Sequence, residues 1–225
     1  MIERPEFGAE SLREARLDER LDARIHSYEL AFRMQTEASD AFDLSKEPAA
    51  IRELYGNTVH GRQTLIARRL LERGVRYVQL WHGAGQPWDN HDDLAENHRR
   101  LADQCSQSMG ALLKDLKQRG LLDETLVIWG GEFGRTPKIN KDAGRDHWAP
   151  VSNCLLAGGG MKPGVTLGES DDFGFNPAND PVHVHDFQAT VLHLLGIDPH
   201  STVPNAEGRP MPLTGTGNVR NELLG

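Results

Sequence analysis

The sequence predicts an α/β fold with a mostly parallel sheet and helices on both faces. Three observations lead to this prediction: helical and extended apolar segments alternate over residues 58–129, the segment 125–129 is almost continuously apolar, and glycines stand between the elements. Strands of a parallel sheet are buried on both faces and therefore lose the polar alternation of half-exposed strands, and helices form the connections between them.

The first predicted element is an amphipathic helix over about residues 11–34, because apolar side chains recur there at three- to five-residue steps. A loop and a short helix follow over residues 45–55, and Gly56 is expected to end that helix. We assign residues 1–56 to a helical N-terminal segment, which we expect to be continuous with an α/β domain over residues 57–225.

Three helices and three strands are predicted in the larger segment. Each is an apolar stripe or an apolar run, and most of them end at a glycine. The helices are expected over residues 58–73, 92–119 and 186–195, and the strands over residues 75–81, 125–129 and 151–157. Asp186 is the expected N-cap of the last helix.

Composition and charge argue against two classes of partner. The chain has 25 Lys and Arg against 33 Asp and Glu, and a formal net charge of −8. Nucleic-acid binding requires a basic patch, and no cluster of basic residues is free of acids, so we expect no nucleic-acid partner. We also expect no membrane span, because the apolar runs are shorter than the roughly 20 residues needed to cross a bilayer.

Residues with metal-ligand chemistry follow the strands predicted at 75–81 and 125–129. In open α/β sheets ligands bind beyond the carboxyl ends of the strands, so side chains from different loops should converge there. Carboxylate oxygens and imidazole nitrogens are ordinary ligands of zinc and manganese. The candidate metal ligands of the 57–225 domain are Asp89, His91, Glu132 and His147.

Each candidate ligand also has a structural interpretation. Asp89 and His91 could form an Asx turn at the start of the following helix, and Glu132 could simply pair with Arg135. Arg135 itself offers a planar fork of donors that matches the oxygens of phosphate or sulfate. It is therefore the candidate catalytic residue, with the role of stabilising charge on a transferred group.

Three further residues are weaker metal candidates. Asp146 precedes His147 and could either hold it as a structural histidine or orient it as a ligand. His183 and His185 lie two residues apart, so both would point to one side of an extended segment. The alternative for His185 is that it merely precedes the helix cap at Asp186.

Four motifs resemble the domain of unknown function 1501 family, whose members are similar to sulfatases of the alkaline phosphatase superfamily. The motifs lie at residues 88–91, 125–137, 144–147 and 185–198, and the resemblance covers the chain from about Leu17 to its C-terminus. It implies an alkaline phosphatase/sulfatase-like fold, truncated at its N-terminus in this chain. In that superfamily two metal ions, commonly zinc, hold a phosphate or sulfate ester while a Ser, Thr or formylglycine nucleophile attacks.

The resemblance also implies roles for individual residues. Glu132 takes the position of a metal-binding acid, and Phe133 stands where a histidine ligand often lies. Asp89 and His91 resemble the preceding acid and histidine ligands, and His147 resembles the late histidine ligand. The implied cofactor is a divalent metal ion, with zinc as the first candidate and manganese or calcium as alternatives.

The implied function is a metal-dependent hydrolase of sulfate or phosphate monoesters, with a small anionic ester, such as a sulfated sugar, as substrate. The alternative is a non-catalytic remnant or partner-binding module that lacks the nucleophile half, because no strand with a first acidic ligand precedes Arg16. Thr58 and Thr64 lie on a predicted helix, where packing and solvation are the expected roles. Complete relatives are exported or periplasmic, whereas the compartment and the oligomeric state of this chain stay open.

Overall fold

The computed structural model describes residues 21–22, 24–29, 32 and 39–225. The described residues between 21 and 32 are helical, in agreement with that part of the helix predicted over residues 11–34. The rest of that predicted helix lies outside the described residues. In the part of the chain that the structure describes, no helix is both long enough and apolar enough to cross a membrane, as predicted.

Three helices pack together in the first half of the described chain. They are α1 (Ala49–Tyr55), α2 (Val59–Glu72) and α3 (Leu94–Gln118), and each contacts the other two. Tyr55, Leu65 and Ala111 form the buried centre of this layer, one residue from each helix. The helices begin and end within a few residues of the predicted positions, because apolar periodicity identifies the face that each one buries.

A buried ion network lies beside this apolar centre. The guanidinium of Arg68 contacts Glu47 at 2.6 Å, Glu72 at 2.6 Å and Asp115 at 3.1 Å. Tyr55 donates a hydrogen bond of 3.0 Å to Asp115, and burial, followed by the charge of Asp115, raises the pKa of Tyr55. Buried charges are costly unless they are paired, so these contacts fix how α1, α2 and α3 meet.

The strands pair only as antiparallel two-stranded sheets within the described residues. All eight of these strands are two to four residues long, and loops occupy most of the chain between them. The pairs are β1 (Val127–Gly130) with β4 (Cys154–Ala157), β2 (Gly134–Arg135) with β3 (His147–Trp148), β5 (Glu169–Ser170) with β6 (Pro177–Asn179), and β7 (Thr202–Pro204) with β8 (Pro210–Pro212).

The predicted fold class is therefore wrong: residues 39–225 are a mixture of helices and short antiparallel strands, and within the described residues there is no mostly parallel sheet covered by helices on both faces. An alkaline phosphatase/sulfatase-like sheet is not what the described residues form. The predicted strand at 75–81 joins no sheet, and two of its side chains, Tyr77 and Trp81, are 75% and 73% exposed. The segments 125–129 and 151–157 do contain strands, but β1 and β4 run antiparallel.

The physical reason for the error lies in what an apolar run can reveal. A run of branched and aromatic side chains favours extended backbone, but it does not specify which segment covers it or in which direction its neighbour runs. Ile128 and Trp129 on β1 and Leu155 on β4 are exposed rather than buried on both faces.

The final helix, α4 (Val184–Leu194), begins two residues earlier than predicted. Its N-cap is His183, whose side chain accepts a hydrogen bond of 3.2 Å from the backbone N–H of His185. Asp186 lies within the helix and accepts a hydrogen bond from the backbone N–H of Asn218 at 2.9 Å. The predicted cap at Asp186 is therefore wrong, because an imidazole nitrogen takes that role. The predicted division of the chain at residue 56 stays a prediction.

Candidate metal centre

Two loops that are far apart in sequence meet at the N-terminus of α3. The first precedes α3 and carries Asp89 and His91; the second connects β2 to β3 and ends at His147. Main-chain hydrogen bonds join them, from the N–H of Asp93 to the carbonyl of Asp142 at 3.1 Å and from the N–H of Arg145 to the carbonyl of Asn90 at 3.1 Å. This backbone contact brings the two loops to one place.

A glycine makes the close approach possible. A Cβ atom on Gly144 would lie 2.0 Å from the carbonyl carbon of His91, a distance that no side chain tolerates. Gly134 plays a similar part on the other side of the hairpin, where a Cβ atom would lie 1.6 Å from the carbonyl oxygen of Val151. The absence of a side chain at both positions lets backbone pack on backbone.

Three of the predicted ligands come together between these loops. Oδ1 of Asp89 lies 2.8 Å from Nε2 of His147 and 3.2 Å from Nε2 of His91, and the two imidazole nitrogens are 3.3 Å apart. The three side chains form a group whose ligating atoms all lie within 4.8 Å of one another. His91 and His147 are about half exposed, so the group opens to solvent on one side.

The geometry of the group fits a small divalent ion. Ligand atoms at 2.0–2.1 Å from a tetrahedral zinc ion lie about 3.3 Å apart. Two of the three measured separations, at 3.2 and 3.3 Å, match that value, and the third at 2.8 Å is that of a hydrogen bond. Two imidazole nitrogens and a carboxylate oxygen would occupy three corners of the tetrahedron and leave the fourth open, as in catalytic zinc sites.

Asp146 lies behind His91 rather than among the three ligating atoms. Its Oδ1 is 2.8 Å from Nδ1 of His91, so a neutral His91 that donates from Nδ1 has its lone pair on Nε2, toward the group. This hydrogen bond raises the pKa of His91, with a smaller contribution from the charge of Asp89. The same bond, together with one from Asn140, lowers the pKa of Asp146.

The charge of Asp89 is stabilised by its neighbours. Burial favours its neutral form, but the hydrogen bond from His147 and the positive charge of Arg135 outweigh this effect and lower the pKa of the Asp89 carboxyl. A carboxylate that stays ionised is the form that binds a metal ion. The site therefore presents its oxygen ligand in the required state at neutral pH.

Arg135 connects Glu132 to the group. Its Nη2 lies 2.9 Å from Oε1 of Glu132 and 3.2 Å from Oδ1 of Asp89. The guanidinium also lies 5.1 Å from the centre of the Phe133 ring, which in turn packs edge-on against the His147 ring at 4.8 Å. Nη1 of Arg135 is buried and has no hydrogen-bond partner within the described residues.

Glu132 is not one of the three side chains in the group. It is mostly exposed and forms its ion pair with Arg135. That contact is the structural alternative weighed from the sequence, and a ligand role for Glu132 stays a prediction.

The sequence matches a family model over nearly all of its length. The model describes a protein of unknown function (DUF1501), and the match covers residues 5–224. The chain belongs to the DUF1501 family. The resemblance found from the four motifs is thus confirmed at the level of the family. Comparisons with curated proteins and with solved structures give no match.

The two histidines near the start of α4 lie outside the group in this DUF1501 chain. The rings of His183 and His185 pack against each other at 4.7 Å, and His183 caps the helix. The imidazole of His185 also approaches Gly215, where an added Cβ atom would lie 3.3 Å from the ring. These contacts give both residues a structural role. Their predicted role as metal ligands stays a prediction.

Sequence reasoning missed one residue of the site, Asn140. It lies in the loop between β2 and β3, and its side chain contacts both Asp146 and the backbone of His91. The available signal was the pattern of Asn140 followed four residues later by Gly144, which is typical of a tight polar loop. Such a pattern indicates a turn but does not show which side chain the amide reaches.

Proposed function

We propose that Asp89, His91 and His147 hold a divalent metal ion, and that this DUF1501 chain is a metal-dependent hydrolase of sulfate or phosphate monoesters. The observation that carries the proposal is the convergence of three ligating atoms from two loops within 4.8 Å of one another. Two imidazoles with one carboxylate favour zinc, with manganese as an alternative; calcium prefers an all-oxygen set and fits these donors less well.

The substrate class follows from the charge beside the group. A bound metal ion would supply Lewis-acid polarisation of an ester oxygen. Nη2 of Arg135 lies 3.2 Å from Oδ1 of Asp89, so its positive charge lies beside the proposed metal position. Its ion pair with Glu132 holds the guanidinium in position beside Asp89, and its planar fork of donors matches the oxygens of a sulfate or phosphate group.

The resemblance of residues 125–134 to the strand-and-ligand pattern of sulfatase-like proteins supports sulfate and phosphate monoesters over other anions. The proposal rests on those motifs and on the donor set, not on the architecture of the chain. A sulfated sugar is one substrate of this class.

A second candidate is a metal-binding module without catalytic activity. This candidate is favoured by the hydroxyl groups of Thr58 and Thr64, the two considered as nucleophiles, because both make hydrogen bonds to the backbone of α2. Thr58 caps the helix by accepting from the N–H of Gly61 at 2.9 Å, and buried Thr64 donates to the carbonyl of His60 at 2.8 Å. Neither hydroxyl lies in the Asp89, His91 and His147 group.

Metal analysis and calorimetric titration with Zn²⁺ test the metal site. We expect one equivalent per chain, and His147→Ala should weaken binding by more than the roughly 10- to 100-fold that loss of an outer hydrogen-bond partner costs. His193→Ala is the matched control, because His193 is an exposed histidine of α4 outside the group. A wild-type chain that binds no divalent ion overturns both candidates.

Turnover separates the two candidates. The metal-loaded chain is assayed with 4-nitrophenyl sulfate and 4-nitrophenyl phosphate, and the hydrolase predicts release of nitrophenol that is lost in His147→Ala and kept in His193→Ala. Stoichiometric metal without turnover of either ester, or of a sulfated sugar, contradicts the hydrolase and supports the non-catalytic module.

A further inference from the structure

Asn140 uses both ends of its side-chain amide. Its Oδ1 accepts hydrogen bonds from the N–H groups of Asp142 at 3.0 Å and Gly144 at 2.9 Å, which closes the loop. Its Nδ2 donates to the carbonyl of His91 at 2.9 Å and to Oδ1 of Asp146 at 3.2 Å. The amide oxygen therefore closes the loop, while the amide nitrogen contacts Asp146 and the backbone of His91, the ligand that Asp146 orients.

A second loop of the chain has the same internal geometry but contributes no residue to the Asp89, His91 and His147 group. Oδ1 of Asn205 accepts from the N–H groups of Glu207 at 3.0 Å and Arg209 at 2.9 Å, the same two positions relative to the asparagine. The backbone N–H of each asparagine also donates to the carbonyl four residues later, at 2.9 Å for Asn140 and 2.8 Å for Asn205.

The two loops differ in what the amide nitrogen does. Within the described residues Nδ2 of Asn205 has no hydrogen-bond partner, whereas Nδ2 of Asn140 has two across the site. Closing such a loop thus requires only the oxygen. The contacts of Asn140 with His91 and Asp146 are additional to the local structure of the loop.

We infer that Asn140 is a positioning residue of the metal site, which fixes the Asp146 carboxylate and the His91 backbone together and so aims Nε2 of His91 at the ion. The inference rests on the proposed metal site. Oδ1 of Asp146 is hydrogen-bonded to both Nδ2 of Asn140 and Nδ1 of His91, so one oxygen connects the amide to the imidazole. Loss of the amide leaves that carboxylate free to rotate away from His91.

The consequence is a loss of metal affinity without loss of a ligand. Outer hydrogen-bond partners of metal-binding histidines typically contribute roughly 10- to 100-fold in affinity. Asn140→Ser keeps a side-chain oxygen that can accept from the loop N–H groups but removes the donors to His91 and Asp146. Asn205→Ser makes the same change in the matched loop.

The Kd for Zn²⁺ is measured by competition with a chromophoric chelator for the wild type, Asn140→Ser and Asn205→Ser, and thermal unfolding is followed for each metal-free protein. We expect Asn140→Ser to bind Zn²⁺ about 10- to 100-fold more weakly. Asn205→Ser should bind as the wild type does. Asn140→Ser should lower the Tm at least as much as Asn205→Ser, because it also loses two hydrogen bonds between the loops. Equal affinity of Asn140→Ser and wild type, or an equal loss in Asn205→Ser, overturns the positioning role.

Asp146→Ala provides a second test that leaves the loop-closing oxygen of Asn140 in place. It should also weaken Zn²⁺ binding, and the double variant with Asn140→Ser should lose less than the product of the two single losses, because both act on one hydrogen-bonded chain. Unchanged affinity in Asp146→Ala overturns the inference even if Asn140→Ser fails to fold. Where all variants fold, independent effects in the double variant also overturn it. A wild type that binds no Zn²⁺ instead removes the proposed function on which the inference depends.

Discussion

Replacement of Arg68 by methionine should destabilise the chain by about 3 kcal/mol, at the lower end of the roughly 3–5 kcal/mol that breaking one buried ion pair costs. The guanidinium is 2% exposed and contacts carboxylates of Glu47 and Asp115 that are 6% and 3% exposed. Methionine fills much of the space but leaves both carboxylates without that partner. The cost is limited because Glu47 keeps Arg69, and Asp115 keeps Arg119 at 2.7 Å.

The destabilisation should shrink in acid. Burial alone raises the pKa of Glu47, but hydrogen bonds from Arg68 and Arg69 outweigh it and hold this pKa below its ordinary value. A carboxyl with a lowered pKa in the folded state contributes stability that is complete above its unfolded pKa, about 4.3 for glutamate, and is lost as pH falls through the folded pKa. The wild type loses this contribution in acid, whereas Arg68→Met has already lost part of it.

Urea denaturation followed by circular dichroism at pH 7 and pH 4, with chelator present, measures the difference between the two proteins. Arg62→Met is the matched control, because Arg62 lies on the same helix but is exposed, and it should change stability by less than about 0.5 kcal/mol. An Arg68→Met variant as stable as the wild type at pH 7, or a deficit that grows on acidification, would refute the reasoning about the network.

Three further outcomes are expected. Arg135→Gln should retain Zn²⁺ but lower kcat for 4-nitrophenyl sulfate or phosphate by roughly 10²- to 10³-fold, and an unchanged kcat contradicts its proposed role. Gly144→Ala should weaken Zn²⁺ binding measured by calorimetry, since its Cβ atom would meet the His91 backbone. The control is Gly110→Ala on α3, where the added Cβ atom meets open space and should raise the free energy of unfolding by about 0.5–1 kcal/mol. The pKa of Asp40, held at about 2 by hydrogen bonds from Lys46 and Arg73, should rise in Lys46→Met, as measured by carboxyl NMR.

The helices could be predicted from the sequence because each carries its own signal. The apolar stripe of α3 and Gly120 just beyond its end are local features, and the observed helix at 94–118 lies inside the predicted range of 92–119. Strand pairing is not local. The segment 75–81 has the composition of a strand, yet no segment among the described residues pairs with it, and its composition gives no sign of that.

The candidate site, like the fold, could be predicted only in part from the sequence. From their chemistry the sequence indicated four candidate ligands, Asp89, His91, Glu132 and His147, and the structure groups all of them except Glu132. The expected cause, adjacent carboxyl ends of parallel strands, is absent from the described chain. The loops meet instead because Gly144 lets backbone approach His91, a contact between positions more than fifty residues apart that spacing cannot reveal. Asn140 was missed for the same reason.

A bound metal ion would add to the protein contacts that hold this site together. β2 and β3 pair over only two residues each, too few to be stable alone, so the hairpin is kept in place by its contacts with the loop at residues 89–93. An ion bound by Asp89, His91 and His147 would join the two segments directly and stabilise the folded chain by about 2.7 kcal/mol at 100 times its Kd. Zn²⁺ should therefore slow amide hydrogen exchange at residues 89–93 and 134–148, and amides of α1–α3 that exchange only through global unfolding should slow by no more than the same factor. No protection in either loop, or protection of the helices alone, would contradict this account of how the site is held.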